Sequence, residues 1–270
     1  MKLTSNAGAV EFRKSLNVLG SIVKRNVKNQ YRNSFLGVVW TVLNPLLNMI
    51  VMALVFSNLF GRSLQGADYP VYLLSGNTVF NLMRMATTNA LPCIVNNSDL
   101  LTKTRIRQYV FPMSNVFGAT VNFFFSLVAL ILVMLIRIPN GVTFHWTMFM
   151  TVFPFLPALM LFSGGISLLL CIMYVYFRDI KHIYTVVLTL WMYATPLFYS
   201  LEALHLSETM MTIMQINPMY HFVTYFRDIT IYGTVPSFAS HAIIYGWGIG
   251  FFLIGGLIFH FGKNKMMIRL

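Results

Sequence analysis

Residues 24–47 read KRNVKNQYRNSFLGVVWTVLNPLL. Four cations, Lys24, Arg25, Lys28 and Arg32, fall within nine residues, and 29 uncharged residues then follow before Arg62. A helix needs about 20 mostly apolar residues to cross the hydrocarbon of a bilayer. The stretch therefore reads as a basic surface segment that runs straight into a membrane span. Working backward, residues 11–32 placed on a helix at about 100° per residue gather Phe12, Leu16, Leu19, Val23 and Val27 on one side. Arg13, Asn17, Ser21, Lys24, Arg25 and Lys28 gather on the other. That pattern predicts an amphipathic helix lying in the membrane surface, cations toward anionic headgroups and cytosol. Tyr31 and Trp40 are interface-seeking aromatics, Gly37 permits a tight bend, and Asn44-Pro45 removes one backbone donor within the first turns of the span. The whole is an elbow at a membrane mouth. Lys24, Arg25, Lys28, Arg32, Trp40, Asn44 and Pro45 form a candidate entrance gate, a simple membrane anchor being the competing reading.

Working outward, the composition agrees. Of 270 residues, 57% are hydrophobic and only 10% charged, against roughly a quarter charged in a soluble domain. The formal charge of +12 does not mark a nucleic-acid surface, because the cations avoid the apolar stretches instead of forming one face. Cys93 and Cys171 lie in or beside apolar segments, so no disulfide framework is indicated. Glu11, Arg13 and Lys14 interrupt any signal-peptide core, which predicts that the N-terminus is retained.

Gaps between charges mark the spans: 36–60, about 70–91 (interrupted by Arg84), about 113–136, about 148–174, about 183–200 and about 240–262. Residues 209–226 are also uncharged, but Asn217-Pro218 breaks them in the middle and His221 adds polarity. They read as a re-entrant or interfacial pair of short helices, permitted where protein or water shields the backbone; a seventh span is the alternative. With six spans, residues 1–35 carry seven cations, the 92–112 loop three, the 176–182 loop two and the tail three. Arg62, Arg137 and Arg227 face the other side. Positive charge marks the cytoplasmic face, so both termini are expected there. The expected class is an all-α integral membrane protein: a cytoplasmic 1–35 with the interfacial helix, a six-span domain over 36–262, an external segment 201–235, and a tail 263–270.

YRNSFLGVVWTVLNPLL (31–47) resembles the opening of the membrane subunits of ATP-binding-cassette exporters for bacterial surface polysaccharides: O-antigen, capsule and teichoic acid. The likeness continues through the polar loop after span two, YFRDIKHI (176–183) and QINPMYHFVTYFRDI (215–229). It implies a homodimer in the bacterial inner membrane, joined to two copies of a separate cytosolic ATPase that binds ATP and Mg, and moving a lipid-linked glycan. It further implies that 11–32 is a gate helix, that a short helix at about 97–108 docks into the ATPase, and that about 201–235 caps the conduit externally. No cofactor is expected on this chain itself.

Particular residues take candidate roles. In NNSDLLTKTRIRQYVFP (96–112) a helix is expected to start at Ser98 or Asp99 and stop before Pro112. Asp99, Leu100, Leu101, Lys103, Arg105 and Arg107 are candidates for ATPase coupling; an ordinary positive-inside loop explains the cations equally. Arg178 and Asp179 form a candidate charge pair where span four leaves the membrane. Arg84, charged within a span, costs at least a few kcal/mol unless paired or hydrated: it either grips a substrate phosphate or bonds nearby carbonyls, Asn81 or Asn89. Phe123, Tyr174, Tyr193, Phe198 and Tyr199 are candidates to line a glycan conduit, since sugar rings stack on aromatics; simple packing competes for each one.

Catalytic signals are absent. No G-x-x-x-x-G-K-[ST] loop occurs, so this chain is not the ATPase. No H-E-x-x-H or other metal spacing occurs. A secondary transporter would place acids or histidines at mid-membrane, and these spans hold no Asp or Glu. A membrane glycosyltransferase would want paired carboxylates, yet Glu202 and Glu208 stand alone. An ATP-driven permease for a drug, haem or other lipid is the nearest alternative.

Overall fold

The computed structural model describes residues 17–25, 66–103, 106–199 and 208–266, with residues 63–64 and scattered helical positions between 39 and 51. Span one therefore lies mostly outside the described residues, as do Lys28, Arg32, Asn44, Pro45 and Arg105. The fold is all-α. Helix α1 covers residues 17–25. A two-residue pairing of β1 (Ser63–Leu64) with β2 (Ala67–Asp68) turns at Gly66, whose φ of 74° suits a residue without Cβ. Then follow α2 (Tyr69–Ala90), α3 (Ser98–Lys103), α4 (Val110–Ile136), α5 (Phe155–Tyr176), α6 (Ile180–Ala194), α7 (Glu208–Ile216), α8 (Pro218–Arg227) and α9 (Phe238–Met266).

Among the described residues, three segments are long and apolar enough to cross a membrane: Val110–Ile136, Trp146–Tyr176 and Phe238–Lys263. Together with the family membership given below, they make this a multi-pass membrane protein. Helix α2 has 22 residues, about 33 Å at 1.5 Å each, long enough to cross but less apolar. Helix α6 has 15, about 22 Å, and stops short of the expected 183–200. The cause is Thr195-Pro196: the residue before proline is pushed out of the helical region, and Thr195 is extended at φ −101°, ψ 132°. The expected stop before Pro112 is also displaced. Helix α3 ends by Lys103, and Pro112 sits inside the first turn of α4, where a missing N–H has no intrahelical partner to lose. The break expected at Asn217-Pro218 is present, separating α7 from α8.

Side-chain contacts set the helices into a two-ended bundle. Asp68, before α2, takes a forked pair of bonds from Arg137, after α4: Nε to Oδ1 at 3.1 Å and Nη2 to Oδ2 at 2.6 Å. Helices α2 and α4 are thus antiparallel. At the opposite end Tyr184 Oη, early in α6, donates to Thr87 Oγ1 at 2.7 Å. Tyr245 of α9 donates to Pro154 O, before α5, at 2.9 Å, so α5 and α9 start together. Ile22, Leu101, Val110, Phe259 and Met266 share one apolar cluster. Helix α1, the 91–109 loop and the end of α9 therefore occupy the same end.

Helices α5 and α9 run parallel at backbone contact. Ala158, Gly165 and Ile172 face Gly248, Gly255 and Gly262, each set at seven-residue spacing. A Cβ at Gly165 would lie 2.5 Å from Phe252 N, and one at Gly248 2.8 Å from Ala158 O. Small residues allow this approach, and in lipid close packing supplies the attraction that apolar burial supplies in water. Beside this seam Phe155, Phe162, Phe222 and Phe226 form an aromatic core, with ring centroids 5.2 Å apart for 155–226 and for 162–222. Helix α8 is thereby held inside the bundle although it has only ten residues.

Candidate functional site

Helix α1 lies across the end of the bundle that carries the 91–109 loop. Its inward face is Val18, Leu19 and Ile22, the last only 6% exposed, against Cys93, Ile94, Leu101 and Phe111. Arg25 Nη2 donates to Asn97 Oδ1 at 3.1 Å, and Asn97 Nδ2 to Cys93 O at 2.7 Å. A helix is present where the periodicity placed one and is fastened onto its own chain, with Lys24 and Arg25 exposed. Its packed face, Val18, Leu19 and Ile22, shares only Leu19 with the expected face, because burial follows the loop beneath it. Phe12, Leu16 and Val27 lie outside the described residues. Trp40 is helical and exposed.

In the 92–112 loop, Asp99 and Arg107 are exposed and Leu100 is half-buried. Leu101 is 5% exposed and packs with Ile22. Lys103 closes α3. The structure thus brings Leu100 and Leu101, of the coupling candidates, into one apolar cluster with helix α1. Arg178 and Asp179 sit in the turn between α5 and α6, and among the described residues no ion pair joins them. Neighbouring side chains diverge: the Arg178 guanidinium lies 5.7 Å from the centre of the Tyr174 ring, while the Asp179 carbonyl accepts His182 N at 2.9 Å.

Arg84 is exposed on α2 and donates to Asn81 Oδ1 at 2.8 Å. Asn81, Arg84, Met85 and Thr88 fall on one face at helical spacing. Where this face meets α1, α4 and the start of α6, a cavity of about 720 Å³ opens. The aromatic candidates divide. Phe123 is 2% exposed, inside the core against Phe226. Tyr174 is at the α1 end beside Arg178. Tyr193, Phe198 and Tyr199 gather at the far end, where Tyr199 Oη donates to Tyr193 O at 2.6 Å and the Tyr193 and Phe198 rings are 6.4 Å apart.

Two residues that govern that far end were not read as sites. Arg227 is 4% exposed. It donates to Pro196 O at 2.8 Å, Leu197 O at 3.2 Å, Tyr72 O at 3.3 Å and Ser75 Oγ at 3.4 Å, and its guanidinium stands 3.5 Å over the Tyr72 ring. Asn217 Oδ1 accepts from Met219 N at 3.0 Å and Trp191 Nε1 at 2.7 Å, while its amide donates to Thr195 Oγ1 at 2.9 Å and Ala194 O at 3.1 Å. The signal for Asn217 was present, since Asn-Pro places a capping side chain before a proline at the first helical position. Arg227 had none. Nearby, hydrogen bonding to Asp68 pushes the Arg137 guanidinium above its ordinary pKa.

Among the described residues no group of three His, Cys, Asp or Glu side chains converges as a metal site. Cys93 and Cys171 are free, buried thiols.

The profile of the ABC-2 type transporters matches residues 17–231. The chain is 32% identical over 213 residues to the O-antigen export system permease protein RfbA of Myxococcus xanthus, covering 78% of this chain and 79% of that protein. It is 25% identical to the Klebsiella pneumoniae O-antigen export system permease protein RfbA over 92% of this chain and 91% of that one. It is also 20% identical to the capsule polysaccharide export inner-membrane protein CtrC of Neisseria meningitidis, over 78% and 77%. A bundle of apolar helices with a docked surface helix, matched along most of its length by export permeases, has one family reading: the chain belongs to the ABC-2 type transporter membrane family.

Proposed function

We propose that this chain is the membrane permease of an ATP-driven exporter that carries a lipid-linked polysaccharide across a bacterial inner membrane. It works as a homodimer with two copies of a separate cytosolic ATPase. The observation that carries this is the similarity to O-antigen permeases over about nine-tenths of both chains, on a bundle in which, among the described residues, α2, α4, α5, α6 and α9 contain no Asp or Glu. Without an acid inside the membrane there is no proton or sodium relay of the usual kind, and without a phosphate loop the chain hydrolyses no ATP. The work comes from a partner.

The end bearing α1, Arg107, Arg178, Lys181 and Lys263 is cytoplasmic by the positive-inside rule, and six spans place both termini there. Segment 201–235 is then external, its short helices α7 and α8 capping the conduit with Tyr193, Phe198 and Tyr199 close by. Because Leu101 is turned inward, the loop offers the ATPase Asp99, the outer part of Leu100, and Arg107. Movement of that contact reaches α1 through the shared Leu101–Ile22 packing, which links the engine to the entrance.

Depleting the chain is expected to accumulate a lipid-linked polymer on the cytosolic side of the inner membrane. Purification through a tag on the chain is expected to bring down a separate ATPase. Export that persists without an ATPase, driven by a proton gradient alone, overturns the reading; an accumulating drug or simple lipid transfers it to another cargo.

A further inference from the structure

The cavity of about 720 Å³ beneath α1 has an unusual lining for a membrane protein. Five asparagines border it: Asn89 and Asn96 from the end of α2 and the loop, Asn97 under α1, and Asn115 and Asn122 from α4. Lys181, from the first turn of α6, is the one charged side chain among its lining residues. Thr88 and Ser114 add hydroxyls, and Ile22 forms part of the roof. The volume lies within the range of small-ligand sites, about 300–1,000 Å³.

The chemistry of the lining narrows the ligand. Each asparagine offers a carbonyl acceptor and two N–H donors. Asn115 and Asn122 use an amide donor on their own helix, to Phe111 O and Gly118 O, both at 3.1 Å, and Asn97 is engaged by Arg25 and Cys93. Asn89 and Asn96 are exposed at the cavity. Amides set side by side match vicinal hydroxyls, which both donate and accept. They match an acyl chain poorly, and a cation poorly, since no carboxylate is among the lining residues. A second cavity at this end makes the contrast: about 620 Å³, lined by Leu168, Phe252 and Phe259 with Arg107, His260 and Lys263, it holds one side-chain amide, Gln108, against five.

Position points the same way. The cavity lies between α2 and α4 at the α1 end, and its α2 wall continues along the same face to Arg84, about 7 Å along the helix from Asn89, and to Asn81, about 12 Å from it, at 1.5 Å per residue. Arg25 bonded to Asn97 and Ile22 packed at the rim make α1 a cover whose displacement would open it.

From this we infer that the cavity is a sugar-recognition site for the first residues of a lipid-linked glycan. The asparagines read uncharged hydroxyls, and Lys181 meets the adjoining phosphate. This rests on the export function proposed above and adds to it a location and a ligand chemistry: the stem of the glycan, next to its lipid phosphate, is selected before entry.

The test uses the full-length chain in lipid nanodiscs and two synthetic probes, a prenyl diphosphate carrying an N-acetylhexosamine disaccharide and the same prenyl diphosphate without sugar. Tighter binding of the sugar-bearing probe is expected. Asn89→Leu with Asn96→Leu, both at exposed positions, is expected to weaken the sugar-bearing probe at least tenfold and leave the bare one unchanged, whereas Lys181→Gln weakens both alike. Equal affinity of the wild type for the two probes, or no effect of the asparagine pair on their ratio, overturns the site while leaving the export function standing. Failure of the wild type to bind either probe also overturns the site, while the export function stands or falls on the depletion experiment above. Asn89→Asp is a second variant: the added charge beside the phosphate is expected to weaken both probes, and unchanged binding counts against the site.

Discussion

Arg227 shows how a single side chain assembles the far end of the bundle. Its donors meet three backbone carbonyls and one hydroxyl, from α2 and from the irregular stretch after α6, and no carboxylate pairs with it among the described residues. The Pro196 and Leu197 carbonyls are freed from regular structure by the break at Thr195-Pro196, so the guanidinium satisfies what the break exposes and ties it to Tyr72 O of α2. A lysine keeps the charge and loses the planar fork. Arg227→Lys is therefore expected to cost on the order of 2–3 kcal/mol and to speed amide hydrogen exchange in 197–199 and 219–230 while the centre of α5 stays protected; equal exchange in the two proteins refutes the lock. The residue also marks what local sequence cannot tell. Tyr225–Ile229 repeats Tyr176–Ile180, both reading YFRDI. In the first copy Phe177 is 71% exposed and Arg178 and Asp179 lie outside the core, whereas in the second Phe226 is fully buried and Arg227 nearly so. The same Phe-Arg pair is exposed in one copy and buried in the other because the second copy is carried into the bundle by the Asn217 cap and the Phe155–Phe226 contact.

Among elements, the α5–α9 seam bears most directly on whether the bundle forms. Glycines on α9 divide into those that touch α5 and those that do not, although all lie in one apolar helix. Gly165→Ala and Gly255→Ala each force a methyl group into facing backbone, which cannot move aside as a side-chain tip can. Gly250 has open space where its Cβ would be. The expectation is that Gly165→Ala and Gly255→Ala lower the unfolding temperature in detergent and the yield of folded protein, while Gly250→Ala changes neither. Similar losses at all three positions would mean that approach distance does not set the effect, because helix propensity alone favours alanine over glycine at each of them. Elements were the legible scale. Charge gaps located α2, α4, α5 and α9, and Asn-Pro located the α7–α8 break. The shortfall of α6 was signalled only by Thr195-Pro196, and the inward turn of Leu101 by nothing local, since it depends on Ile22, 79 positions earlier.

Over the whole molecule the two ends differ in charge and in construction. One gathers α1, the 91–109 loop, the α5–α6 turn and the end of α9 around the apolar cluster of Ile22, Leu101 and Met266. The other gathers the Asp68–Arg137 pair, Arg227, and α7 with α8. Arg107, Arg178, Lys181 and Lys263 lie at the first end with Lys24 and Arg25, and a cytoplasmic leaflet rich in anionic lipid attracts such a surface by about 1 kcal/mol per cation. Orientation then follows from electrostatics and is open to direct measurement. Cys93 and Cys171 are buried, so a thiol added at an exposed position reports its own side of the membrane. Lys24→Cys and Lys263→Cys are expected to resist a membrane-impermeant maleimide in intact spheroplasts and to react once the membrane is permeabilised. Phe238→Cys, at the start of α9 and 89% exposed, is expected to react in both. Labelling of position 263 from outside while position 24 stays protected would require an odd number of crossings, making residues 209–226 or another segment an additional span. Reaction of both from outside would invert the protein, and no cytosolic ATPase would then meet the loop that holds Asp99 and Arg107.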